Sequence, residues 1–254
     1  KDFLCRLIGA CPERSSPSAN VLLRMPLLEG PLKQKTSVGL FSCTDGGQLL
    51  GVYEDLMGFG KLCSENGVDC KSCTWSDDDL GGHGGWVDMI QRFLTSKKTI
   101  LVLVYVGHTW AIRYQDVQNA LQSVLNTTAH PKFVLIVNDS CESGNMAKDH
   151  QKAVCGADPD PVASRLAVLT STMPGAGEKA LETESGGLFA QSFLALLREP
   201  RPLGELLHHM HYEYREGAFI HRIHVPGSGD QKGCASFPRE WAGMLAEIEE
   251  EFAW

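Results

Sequence analysis

Two residues in the chain are of types that do covalent chemistry together, and each follows an unusually apolar segment. Cys141 comes after residues 132–138 (KFVLIVN), Asp139 and Ser140; His108 comes after residues 99–106 (TILVLVYV) and Gly107. A thiolate is a strong nucleophile toward an amide carbonyl, and an imidazole delivers the proton that a departing amine requires. The tetrahedral oxyanion between the two steps needs two backbone N–H donors. The N–H of Cys141 is one candidate and that of Thr109, beside His108, is the other. Gly144, just past Cys141, is expected to let the chain turn sharply off its strand.

The elements that must position these residues can be read from the pattern around them. Continuous Ile, Leu and Val over 99–106 and 132–138 predicts strands buried on both faces, as at the centre of a parallel sheet. Cys141 and His108 are 33 positions apart, about one strand–helix–strand unit, so both are expected at one edge of the sheet on neighbouring or near-neighbouring strands. Further strands are expected at 37–43, from 67, at 165–170 and at 218–225. Helices are expected at 47–66, 86–95, 116–125, 186–197, 202–214 and 238–252. The polar stretch 145–164 reads as an exposed loop, with Lys148, Lys152 and, beyond it, Arg165 as basic sites open to self-cleavage. Alternating strands and helices predict an α/β fold, a mostly parallel sheet covered on both faces. Residues 1–35 lack periodicity and read as an N-terminal extension to a domain spanning 36–254.

Composition limits the function classes. The net charge of −8 and the lack of a basic stripe argue against nucleic acid. No apolar run reaches membrane-spanning length, which argues against an integral membrane protein. Nine cysteines in a chain of 254 residues, too long to need covalent staples, predict free thiols and a reducing, cytoplasmic setting. A first residue that is Lys rather than Met suggests a piece of something longer, so additional domains or a partner protein are expected.

At the cysteine the chain resembles a known group. Asp139, Ser140 and Cys141, followed by Ser143 and Gly144, are similar to the nucleophile motif of metacaspases; Cys141 to Gly144 (CESG) is similar to that of legumains. The apolar strand ending in Gly107 and His108 resembles the histidine motif of the same caspase-like cysteine endopeptidases. Residues 49–55 resemble the first helix of metacaspases, 169–173 (LTSTM) the strand flanking the substrate's first pocket, and 187–193 (GLFAQSF) the helix that follows. The resemblance spans roughly 36–225. It implies a three-layer α/β/α sandwich around a mostly parallel six-stranded sheet, a Cys141–His108 dyad and a thioester intermediate. It also implies an oxyanion hole from Cys141 and Thr109, and polypeptide substrates. Asp139 would line the pocket for an Arg or Lys side chain, with Asn as the competing preference, and Ser171 would lie beside substrate. No cofactor or metal is implied, although Asp77 to Asp79 could hold calcium as in some metacaspases. One departure is Thr109, where the family has Gly. It motivates an alternative reading, a catalytically weak or inactive regulatory or partner-binding domain.

Other groups carry less. His83 sits in a Gly-rich loop without a buried strand before it. Cys70 and Cys73 form a CxxC with no second pair and read as small strand residues. His208, His209 and His211 read as a helix surface. A glutaminase-type amidotransferase is ranked last, because Asp139 and Ser140 replace the usual Gly-x-Cys-x-Gly elbow.

Overall fold

The computed structural model describes residues 28, 30–43, 50–75, 84–108, 112–127, 132–156, 160–183, 185–198, 212–213, 220–224 and 232–238. Its elements run β1 (Thr36–Cys43), α1 (Leu50–Asn66), β2 (Asp69–Trp75), α2 (Gly84–Leu94), β3 (Ile100–Gly107), α3 (Tyr114–Thr127), β4 (Phe133–Asp139) and α4 (Gly144–Cys155). They continue with β5 (Leu166–Thr170), β6 (Glu182–Thr183), β7 (Gly186–Gly187), α5 (Leu188–Leu197), β8 (Tyr212–Glu213), β9 (Ile220–His224) and β10 (Lys232–Ser236). One sheet carries the order β2-β1-β3-β4-β5-β10-β9-β8. The first five strands are parallel to one another, and β10, β9 and β8 are each joined on by antiparallel pairing. The expected mostly parallel six-stranded sheet is the block from β2 to β10, and β9 and β8 prolong it.

Strand alternation divides β3 between two cores. Val102, Val104 and Val106 point to the side covered by α1 and α5, where Val52, Leu56, Phe59, Phe189 and Phe193 are buried. Leu101, Leu103 and Tyr105 point to the side covered by α2, α3 and α4, with Ile90, Phe93, Val117, Leu121 and Met146. These are the three layers expected, and they explain why β3 and β4 are apolar without alternation. The same geometry separates the CxxC. Cys70 joins the first core and Cys73 the second, so the two thiols lie on opposite faces of β2. The seven described cysteines are free thiols.

Several expectations are corrected. Residues 144–155 are a helix, not an exposed loop. Its buried face repeats at helical spacing through Met146, Ala147 and His150, and the period was hidden because a polar His occupies a core position. Lys148 and Lys152 are exposed but sit on this helix rather than on an extended segment open to cleavage. Tyr212–Glu213 pairs with β9 as strand, so the helix expected over 202–214 does not include them. β10 was missed, since KGCAS has no branched side chain. It nevertheless inserts between β5 and β9, where Gly233 lets the strand approach the Thr170 carbonyl. The terminal helix expected at 238–252 lies outside the described residues. At the amino end, Leu28 and Leu32 belong to the first core, so the end of the expected extension is packed into the domain. No described helix is long and apolar enough to cross a membrane.

His150 is fully buried, bonded to Ser236 Oγ at 2.7 Å and to the Ala163 carbonyl at 3.0 Å, with its ring edge against Tyr114. Burial pushes its pKa down to about 4. A depressed histidine pKa means that the unfolded chain takes up the proton first as pH falls. Stability is therefore fully present above about pH 6.5 and is lost between about 6.5 and 4, by about 3 kcal/mol in total. Urea unfolding across this window should show that loss in the wild type and a flatter profile in His150→Gln; parallel profiles would remove His150 as the cause.

Candidate active site

β3 and β4 are adjacent and parallel, with Tyr105 opposite Asn138 and Val106 opposite Asp139. His108 and Cys141 each lie two residues beyond the Val106–Asp139 pair. They therefore leave neighbouring strands at the same level, with strand axes about 4.8 Å apart. Both residues are partly exposed, although the Nε2 atom of His108 is itself buried. Gly107 makes the exit of β3 possible. Its φ is +146°, and a Cβ there would stand 2.6 Å from the Cys43 carbonyl oxygen on β1. The peptide that follows is held from below, where Tyr105 donates its hydroxyl to the His108 carbonyl at 2.5 Å.

The nucleophile turn is tied on every side. Ser143 N–H donates to the Ser140 carbonyl, and Ser140 Oγ donates to Asn138 Oδ1 at 2.7 Å. Glu142 adopts φ +55°, the left-handed conformation that a non-glycine residue enters only when its surroundings hold it there. Those surroundings are the loop after β5. Glu142 N–H donates to the Glu178 carbonyl at 2.7 Å, and its Oε1 accepts from Gly177 N–H at 2.7 Å. Asn145 pairs reciprocally with the backbone of Gly175. The reversal expected at Gly144 thus occurs at Glu142. Gly144 has a different task. A Cβ on it would drive into the backbone of Met173 and Pro174, so only glycine lets α4 start so close to that segment.

Asp139 and Ser171, both expected to face substrate, are buried and brace the framework. Asp139 Oδ2 accepts from Ala190 N–H at 3.0 Å in the first turn of α5. Ser171 donates its N–H to the Asn138 carbonyl at 3.1 Å, and its hydroxyl lies 3.5 Å from that of Ser143. Beside Asp139 stands a carboxylate that sequence reading missed. Asp55 is fully buried on α1; it accepts from Gly187 N–H at 2.8 Å and from Gln191 Nε2 at 2.6 Å. Gly187 fits between the two carboxylates, since a Cβ there would strike Asp139 Oδ2 and lie 3.4 Å from Asp55 Oδ2. Two carboxyl groups at the amino end of α5 accept from its first amides, a place where the positive pole of the helix favours such acceptors. The signal for Asp55 was its position: it falls on the buried face of an apolar helix, between Val52 and Leu56, where a charged side chain needs dedicated partners. Tyr53 and Met57, two large apolar residues of the same helix, face solvent.

Thr109, His83, the acidic run at 77–79 and His208, His209 and His211 lie outside the described residues. Among the described residues there is no group of three or more metal-ligating side chains.

Comparison with solved structures places this architecture. The fold is the caspase-like fold. A crystal structure of caspase-1 from Spodoptera frugiperda superposes with a TM-score of 0.54 at 16% identity, covering 89% of this chain and 92% of that one. The structure of drICE aligns with a TM-score of 0.39 at 13% identity, over 65% of this chain and 73% of that one. No protein-family model and no curated protein sequence matches the chain.

Gly144 offers a direct test of the packing behind the turn. Gly144→Ala should lower the free energy of unfolding by about 1–3 kcal/mol, because the obstacle is backbone that cannot rotate away. Chemical denaturation measures it; an unchanged midpoint would mean that α4 and the Met173–Pro174 segment separate at little cost.

Proposed function

We propose that this protein is a cysteine endopeptidase that uses Cys141 as nucleophile and His108 as the proton carrier. The observation that carries the reading is the registered pair of strands, β3 and β4, from which the partly exposed residues His108 and Cys141 leave at the same edge of a caspase-like sheet. In the proposed reaction the Cys141 thiol gives its proton to His108, and the sulfur adds to the scissile carbonyl carbon. The oxyanion is met by the N–H groups of Cys141 and Thr109. His108 then returns the proton to the leaving amine, the C–N bond breaks and a thioester remains. Water, losing a proton to His108, attacks the thioester; the sulfur leaves and is reprotonated. This chemistry requires no cofactor.

The preferred side chain at the cleaved position is Arg or Lys. Asp139 is buried and bonded to Ala190 N–H, so it would favour that choice over a neutral Asn through its charge rather than by direct contact. The number of free thiols suits a reducing compartment, and the cytoplasm is the proposed location.

Replacing Cys141 with Ala should abolish cleavage of fluorogenic peptides ending in Arg or Lys, while the melting temperature stays near that of the wild type. A folded wild type that cleaves none of a mixed peptide library and leaves Cys141 unlabelled by a peptidyl acyloxymethyl ketone would reassign the domain to partner binding. Asp139→Asn tests the specificity. It should cost basic substrates roughly 10-fold in kcat/KM, about 1.4 kcal/mol of through-space attraction, with a smaller effect on an Asn substrate. Equal losses on both would remove Asp139 as the selecting charge.

A further inference from the structure

The strand that delivers His108 carries a polar residue where packing asks for none. Leu101 and Leu103, on the same face of β3, fill the core between the sheet and α2, α3 and α4; the next position on that face is Tyr105, also fully buried. Its hydroxyl reaches past the end of its own strand and donates to the His108 carbonyl at 2.5 Å. The bend at Gly107 brings that carbonyl within range, and the missing Cβ there, which would lie 3.2 Å from the phenol oxygen, leaves it room.

A trans peptide is planar, and its N–H points opposite to its C=O. Whatever fixes the His108 carbonyl also fixes the direction in which the next amide donates. We propose that Tyr105 is a positioning residue for the oxyanion hole: its hydroxyl clamps the His108 carbonyl and thereby fixes the plane of the peptide that carries the second proposed oxyanion donor. The proposal rests on the proteolytic reading and goes beyond it, to a fully buried residue behind the site. It also gives the Thr at 109 a physical context. A β-branched residue at that point samples less backbone space than Gly, so its amide is best held by a bond formed from the core side before substrate arrives.

The test separates oxyanion stabilisation from thiol reactivity in wild type and Tyr105→Phe. A peptide aldehyde ending in argininal adds the Cys141 sulfur to its carbonyl carbon and places a tetrahedral oxygen in the hole. Iodoacetamide alkylates the same sulfur with loss of iodide and forms no oxyanion. In Y105F the aldehyde should bind roughly 10–100-fold more weakly and kcat should fall by a similar factor. KM and the pH profile of iodoacetamide alkylation should stay unchanged. Unaltered aldehyde affinity overturns the proposal, and so does an alkylation profile that shifts along with it, which would place the effect on the imidazole. If the phenylalanine variant does not fold, a fluorotyrosine at 105 keeps the ring and strengthens the donor; it should raise aldehyde affinity, and no change overturns the proposal. A wild type that neither turns over substrate nor binds the aldehyde overturns the proteolytic reading itself and the clamp with it.

Discussion

The molecule depends on the lateral registration of β3 with β4. Hydrogen bonds between parallel strands hold Val106 opposite Asp139, and the apolar side chains on both faces make any other register costly. Slipping one strand by a single residue would exchange the side chains that its two faces present to the two cores and spoil the packing of both. The relative position of His108 and Cys141 is thus set by the largest favourable term in the fold, the burial of β3 and β4 between two helical layers. The first residues beyond the ladder inherit that precision, and the residues around them are recruited to keep it. Gly107 removes the Cβ that would hit β1, and the loop after β5 grips the turn that follows β4.

Several of the polar groups behind this edge are spent on backbone. Asp55 and Asp139 hold the start of α5, Asn145 holds Gly175, and Thr172 Oγ1 accepts from Gly144 N–H. Buried carboxylates and hydroxyls of this kind cost free energy unless each finds a partner. Here amide groups at helix starts and strand ends, which lack partners within their own elements, meet that need.

What was legible in the sequence follows from this division. Uninterrupted Ile, Leu and Val announced the central strands, and the spacing of Cys141 from His108 announced their shared edge, because burial on two faces leaves a compositional mark. Contacts that rely on small or polar residues left none. KGCAS reads as a loop, yet its glycine and cysteine are what fit beside Thr170. The helix 144–155 was obscured because His150 stands in for an apolar residue. Glu142 gave no hint of φ +55°, since that conformation is imposed by Gly177 and Glu178, some 35 residues along the chain. Asp139 and Ser171 were recognised as residues of the edge, but their buried hydrogen bonds to Ala190 and Asn138 depend on elements brought together only by tertiary packing.

The order of strands in space has a consequence for how the chain acquires its shape. β10 is separated from β5 by more than sixty residues, yet it is the strand that covers β5's outer edge, and Thr170 Oγ1 reaches the Cys234 carbonyl across that seam at 2.9 Å. Until residues 232–236 dock, β5 presents a bare rank of amides and carbonyls to its surroundings, a surface on which foreign strands nucleate. Ser236 arrives with the same strand and supplies His150 with one of its two partners. The half-assembled chain therefore combines an open sheet margin with an imidazole that water can still protonate, and mild acidity during synthesis or refolding should steer it toward aggregates before the native sheet is complete.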